Sequence, residues 1–167
     1  MTRAVLSIGS NLGDRLAHLQ GAVDELASMG VDVKAVSPVY ETAPVGGPEQ
    51  EDFLNAVVLV HTALGPRELL AACQGIEAAH DRVREVRWGP RTLDVDIITV
   101  DGVTSDDPLL TLPHPRVHER AFVCVPWLDI DPAAFLPQGP VAQLPLDVDG
   151  VVLRKDLALV IPASERP

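Results

Sequence analysis

The chain has 167 residues, of which 47% are hydrophobic and 4% aromatic, and its formal net charge is −11. That length suits one domain, and that apolar share supports a packed core and excludes a disordered chain. The acidity excludes a general binder of nucleic acid or of an anionic membrane, and no stretch approaches the roughly 20 apolar residues of a membrane span.

The elements follow in order. Ala4 to Ile8 reads as a buried strand ended by Gly9-Ser10-Asn11. Leu12, Leu16, Leu19, Val23 and Leu26 recur at helical spacing, with Asn11 or Asp14 as cap and Gly30 as terminator. Val31 to Tyr40 predicts a second strand, interrupted by Pro38. Thr42 to Asp52 is a long Pro- and Gly-bearing loop of the kind that serves binding. Phe53 to Thr62 predicts a third strand, and Pro66 opens a helix to about His80 with Leu69, Leu70, Cys73 and Ile76 on its apolar stripe. Asp81 to Pro90 is a second long loop. Leu93 to Val100 predicts a fourth strand, and Asp101-Gly102 a turn. Beyond Asp107-Pro108 the chain reads as irregular, then as an apolar segment, AFVCVPWLDI, then as a loosely organised tail with a small hairpin.

The order β-α-β-β-α-β is that of an α+β, ferredoxin-like split βαβ fold, a four-stranded antiparallel sheet with helices on one face. We expect one domain over residues 1–167, with an informative core over about 4–130 and an irregular C-terminal extension over 131–167. Cys73 and Cys124 are far apart, in apolar contexts, and outside any CxxC pair. They read as reduced core residues of a cytoplasmic protein. The N-terminal run MTRAVLSIGSN is too short and polar for a signal peptide.

One charge pattern stands out. Arg82, Arg84, Arg87 and Arg91 crowd one segment of a chain with only 13 Lys plus Arg. Directly after them, Asp94 and Asp96 interrupt an apolar strand. Side chains alternate along a strand, so both aspartates share the face opposite Leu93, Val95 and Ile97. They stand about 6 to 7 Å apart. At that range two carboxylates repel by about 2 to 3 kcal/mol at an effective dielectric of about 20. A divalent cation such as magnesium, or arginine, would offset this. Solvated aspartates on an amphipathic strand are the plain alternative, and Leu146-Asp147-Val148-Asp149 repeats the same four letters where a turn is expected. What separates the first copy is Arg-Trp-Gly-Pro-Arg immediately before it. Cations for phosphate beside carboxylates for metal suit phosphoryl chemistry.

Gln74 and Glu77 share a helix face just upstream, which fits either a site or ordinary solvated surface. His114, His118 and Arg120 could add donors to phosphate. A zinc site at the two histidines lacks a third ligand. Gly9-Ser10-Asn11-Leu12-Gly13 has neither a P-loop lysine nor the GxGxxG spacing.

The stretches LSIGSNLGDR, VYETAPVGGPEQEDFLNAVV, RWGPRTLDVDII and LTLPHPRVHERAFV resemble the 6-hydroxymethyl-7,8-dihydropterin pyrophosphokinases of folate biosynthesis, in that family's order and spacing. The resemblance covers roughly residues 4 to 130 and implies an ATP-dependent diphosphotransferase. The β,γ-diphosphate of ATP passes to the hydroxymethyl group of the dihydropterin, and AMP is released. It implies a pair of magnesium ions on Asp94 and Asp96, and phosphate-holding roles for Arg82 and Arg91. For ATP it implies Gln74, Glu77, Arg82, Arg84, Trp88, Arg91, Ile97, Thr111, His114 and Arg120. For the pterin it implies Phe53 and Phe122 as stacking rings, with Thr42, Pro44, Val45, Asn55 and Asp94 at its polar edge. The chain departs from some members at Phe53, Glu85, Leu109 and Pro115, which bears on the ATP contacts. ATP and the dihydropterin are the expected partners, with no nucleic acid and no membrane, and a monomer is expected. The residues by themselves also admit a palm-type nucleotidyl transferase, attacking at the α-phosphorus, and a non-catalytic sensor of ferredoxin-like shape.

Overall fold

Residues 1–44, 49–80 and 92–163 are described by a computed structural model. Strand β1 (Thr2–Ser10) leads to helix α1 (Arg15–Ser28), where the Asp14 carboxylate accepts from the Ala17 N–H at 3.1 Å and caps the first turn. Gly30, at φ +80°, turns the chain out of the helix in a conformation that a side chain would strain. The expected second strand is two strands, β2 (Asp32–Val36) and β3 (Tyr40–Thr42), parted around Pro38, which has no N–H for a ladder. Next come β4 (Phe53–Thr62), α2 (Pro66–His80) and β5 (Asp94–Val100).

A hairpin of β6 (Ser105–Asp107) and β7 (Leu110–Leu112) occupies the stretch expected to be irregular. The apolar segment after it is helix α3 (Ala121–Ile130). The remainder carries a small hairpin, β8 (Phe135–Leu136) with β9 (Gly139–Pro140), and one short strand, β10 (Val152–Leu153).

The main sheet runs β10-β3-β4-β1-β5, with β2 also on β4, and each of these neighbouring pairs is antiparallel. Strands β4 and β5, joined through α2, run the same way but flank β1. That is the split crossover the element order predicts. The sheet is wider than the four strands expected because β2 and β3 are separate and β10 adds an edge.

Helices α1 and α2 share one face, as expected. Leu19, Val23 and Leu26 of α1 and Leu69, Cys73 and Ile76 of α2 pack there on Leu6, Ile8, Ala56, Val58, Val95 and Ile97. Helix α3 is the correction to a one-sided arrangement. Its Val123, Cys124 and Trp127 build a second core on the opposite face with Val5, Val57, Leu59 and Ile98. Covered on both sides, β4 buries eight of its ten residues, which is why FLNAVVLVHT reads as a continuous apolar run. Both cysteines are buried and unpaired with each other.

The C-terminal segment is pinned at several points. Arg3 pairs with Asp131 at 2.7 Å, Leu136 and Val141 enter the second core, and Leu159 enters the first. The Gln20 amide exchanges two hydrogen bonds with the backbone of Val160, at 2.8 and 2.9 Å. Among the described residues no helix is long and apolar enough to cross a membrane.

Candidate active site

The strand register assembles the site on the α3 face of the sheet. Asp94 lies opposite Gly9, Gly9 opposite Asn55, and Asn55 opposite Tyr40, so one row crosses β5, β1, β4 and β3. Directly opposed residues share a face. Asp96 stands beside Ser7, and Phe53 beside Thr42, on the same side. Asp94 is half-buried and Asp96 exposed, while Val95 and Ile97 enter the two-helix core. The two carboxylates therefore stand together, as the alternation predicts. The Ile97 side chain is committed to the core, which leaves only its backbone for a ligand.

Gly9 creates room at the centre of this row. A Cβ there would lie 3.0 Å from Asn55 Oδ1 and 3.7 Å from the Phe53 ring. Only hydrogen lets these two side chains lie across β1. Asn55 is buried and donates from Nδ2 to Thr42 Oγ1 at 2.8 Å, so the two polar readers expected for the pterin edge are already joined. Phe53 lies on the same face of the sheet as α3, and Phe122, in the first turn of α3, packs against the second core. The Arg120 guanidinium lies 5.8 Å from the centroid of the Phe122 ring, a cation–π contact. Pro44 is half-buried beside this layer in sequence, just past β3.

The outer edge of β5 receives two further candidates. Glu77, half-buried on α2, accepts the Val95 N–H at 3.0 Å, between the two aspartates. The His114 N–H donates to the carbonyl of Ile98, the residue that a bulge leaves without a partner on β1, at 2.8 Å. The His114 imidazole is held below its ordinary pKa, chiefly by burial, then by the charge of Arg120; Asp96 pulls the other way and Arg116 adds to the depression. A neutral ring results, a hydrogen-bonding group rather than a fixed cation.

Other candidates are differently used. Thr111 sits on β7, which lies against β5, and its hydroxyl donates to the Asp107 carbonyl at 3.0 Å. Gln74 is exposed on α2. His118 is engaged by Glu119 at 3.3 Å. Val45, Arg82, Arg84, Trp88 and Arg91 lie outside the described residues. The second LDVD is an exposed turn: Asp147 Oδ1 accepts from the Asp149 N–H at 3.0 Å, and Gly150 takes φ +80°.

Two residues were missed by the sequence reading. Gly9 carries a signal, a glycine inside a strand that invites close approach, which the nucleotide-loop fingerprints do not use. Asn11 is buried and donates to Gln50 Oε1 at 2.8 Å and to the Glu51 carbonyl at 3.0 Å, tying the end of β1 to the far end of the 43–52 loop. A cavity of about 360 Å³ between the start of α2 and the β6–β7 hairpin, lined by Arg67, Glu68 and Asp107, holds none of the site residues.

Among the described residues no group of three or more His, Cys, Asp or Glu side chains is arranged to hold a metal. Two carboxylates on one face suit magnesium nonetheless, because it keeps several waters and takes one or two carboxylates plus phosphate oxygens.

Comparison with known proteins bears on the family and the fold. The family model described as 7,8-dihydro-6-hydroxymethylpterin-pyrophosphokinase (HPPK) matches residues 5–132. A 2-amino-4-hydroxy-6-hydroxymethyldihydropteridine pyrophosphokinase of Methylorubrum extorquens is 51% identical over 79% of this chain and 84% of its own length. The protein of the same name from Mycobacterium bovis is 46% identical over 100% of this chain and 99% of its own. Among solved structures, a Plasmodium falciparum HPPK-DHPS aligns with a TM-score of 0.65 at 15% identity, over 86% of this chain and 43% of that one. At that identity the likeness is one of fold.

Proposed function

From the premise that the chain belongs to the 7,8-dihydro-6-hydroxymethylpterin-pyrophosphokinase family, and is thus a pyrophosphokinase, a transferase of folate biosynthesis, we propose the following reaction and site. ATP gives its β,γ-diphosphate to the hydroxymethyl group of 6-hydroxymethyl-7,8-dihydropterin. The hydroxyl oxygen bonds to the β-phosphorus as it gives up its proton, the bond from that phosphorus to the α,β-bridging oxygen breaks, and AMP leaves.

The observation that carries this reading is the row Asp94–Gly9–Asn55, with Phe53 one step along the sheet. It sets a carboxylate pair at one end and an amide with an aromatic ring at the other. The pterin lies over Gly9 between Phe53 and Phe122, its polar edge read by Asn55 and Thr42, with Pro44 and Val45 assigned to the same contacts. An amide both donates and accepts, as that heterocycle requires. Its hydroxymethyl group then points along the row toward Asp94.

Asp94 and Asp96 would hold magnesium, which would neutralise charge on the transferred phosphates. Arg82 and Arg91 hold those phosphates, with Arg84, Trp88, His114 and Arg120 around them. Guanidinium forks match phosphate geometry. Gln74, Glu77, Thr111 and the Ile97 backbone form the nucleoside side. Neutral His114 donates a hydrogen bond there without adding charge.

We also place the chain in the cytoplasm, where two buried unpaired cysteines suit a reducing compartment. We further propose a monomer, without a nucleic-acid partner, on the −11 charge.

The test is binding against turnover. Asp94→Asn and Asp96→Asn should each lower kcat by at least roughly 100-fold, while Asp96→Asn keeps dihydropterin affinity. Normal turnover in both variants would remove the carboxylates from the reaction.

A further inference from the structure

The pair that reads the pterin edge depends on β3, and β3 is only three residues long. It pairs inward with β4, placing Tyr40 opposite Asn55 and Thr42 opposite Phe53. Its outer edge would be open but for the C-terminal segment. Strand β10 covers it, with Val152 opposite Glu41 and Leu153 opposite Tyr40. The next residue, Arg154, donates its N–H to the Val39 carbonyl at 2.9 Å. So the backbone is held on both sides of Tyr40.

Side chains add a second tie at the same place. Glu41 Oε2 takes Arg154 Nη1 at 3.3 Å and Arg15 Nη1 at 2.5 Å. The same Arg15 nitrogen donates to the Asp52 carbonyl at 2.8 Å, immediately before Phe53. Arg154 is itself oriented by Asp156, at 2.9 and 2.7 Å. The three side chains of this clamp are about a quarter exposed, at 25%, 23% and 27% for Glu41, Arg15 and Arg154, so water screens them only in part. The clamp spans both ends of the loop that separates Thr42 from Phe53. Arg154 and β10 also lie beyond the residues that the family model matches.

We propose that Arg154, with β10, is a positioning residue for the pterin subsite: it fixes Glu41, and through β3 it fixes Thr42 against Asn55 and Phe53. This rests on the pterin reading given above. The C-terminal segment therefore serves substrate affinity on one side of the site only. The nucleotide side, built on β5, β7, α2 and the residues His114 and Arg120 before α3, has no part in the clamp.

Steady-state kinetics of the full chain separates the two sides. Arg154→Ala and Glu41→Ala should each raise KM for the dihydropterin roughly fivefold, with KM for ATP unchanged. Arg154→Lys should recover part of that rise. The double variant should be no worse than Glu41→Ala alone, because losing Glu41 already removes the contact that Arg154 makes with it. An unchanged dihydropterin KM in Arg154→Ala, or equal rises for both substrates, overturns the proposal. If Arg154→Ala does not fold, Arg154→Gln gives the same comparison. A wild-type chain that binds dihydropterin without turnover sinks the assigned reaction alone; the ratio of dihydropterin Kd values between wild type and variant then decides the positioning role. A wild type that binds no dihydropterin overturns both.

Discussion

Glu77 accepts the backbone N–H of Val95 at 3.0 Å, and Val95 sits between Asp94 and Asp96. Among the described residues strand β5 is at the edge of the sheet, with no neighbouring strand on its outer side to take that N–H. A side chain of α2 thus fixes the backbone from which both carboxylates project. Glu77→Ala should lower kcat roughly tenfold and raise the magnesium concentration needed for half-maximal rate. Glu77→Gln keeps an acceptor oxygen and should stay close to wild type. Equal losses in the two variants would argue that the charge, and not the strand contact, is what matters.

Gly9 leaves little room for a side chain in the proposed pterin subsite. A methyl group at 3.0 Å from Asn55 Oδ1 forces the amide to move. Gly9→Ala should cost about 1 to 3 kcal/mol of stability, as overpacking does. It should also raise the dihydropterin KM roughly tenfold while leaving ATP affinity alone. Thermal unfolding and kinetics with each substrate varied in turn would show whether the loss is confined to the pterin.

Acid should loosen the seam between α1 and α2. His80 Nε2 lies 2.8 Å from Glu25 Oε2, and His18 Nδ1 lies 2.8 Å from His80 Nδ1. The carboxylate requires a proton on His80 Nε2, so a neutral His80 accepts at Nδ1 and His18 donates. Two protonated rings would set one N–H against another. Burial, then the His80 charge, hold the His18 pKa below its ordinary value, against a smaller opposing pull from Asp14. The unfolded chain therefore takes up the proton first. The contribution is complete above the unfolded value of about 6.5 and is lost as pH falls through it toward the folded value. Tm measured from neutral to mildly acid pH should fall less steeply in His18→Gln than in wild type. Parallel slopes would exclude the pair as the cause.

The alkaline limb has a different origin. Burial, then the hydrogen bond to Asp129, push the Tyr40 hydroxyl from 10.0 up to about 12. The folded chain holds this proton more tightly than the unfolded one. Stability from the Tyr40–Asp129 bond is thus present below about pH 10 and is lost as pH rises from there toward 12. Tyr40→Phe should flatten that part of the curve and lower stability at neutral pH, because it leaves Asp129 without this donor. An unchanged alkaline slope would count against the assignment.

Much of this was readable beforehand. Phe53–Thr62 and Pro66–His80 fall where the apolar runs and Pro66 put them, because a covered central strand and an amphipathic helix have distinct periods. The shared face of Asp94 and Asp96 follows from strand alternation alone. Helix α3 was hidden by Pro126, which lacks the N–H that would reach the Phe122 carbonyl, and by an apolar character on all sides that gives no stripe. The β6–β7 hairpin was hidden because Asp107-Pro108 reads as a chain break, whereas here it forms the turn itself, with Asp107 Oδ1 accepting from the Leu109 N–H at 2.9 Å. The contacts of Glu41, Asn11 and Glu77 join residues distant in sequence. Such pairings become visible only once the register is known. The two LDVD copies make the same point: identical letters lead into a sheet strand in one context and an exposed turn in the other.

The position at which the phosphate chain of ATP is cut tests the assigned reaction most directly. Wild-type protein incubated with ATP, magnesium and 6-hydroxymethyl-7,8-dihydropterin should yield AMP and the pterin diphosphate in equal amounts, resolved by chromatography. Release of inorganic diphosphate with an adenylylated product, or ATP recovered intact, would contradict it.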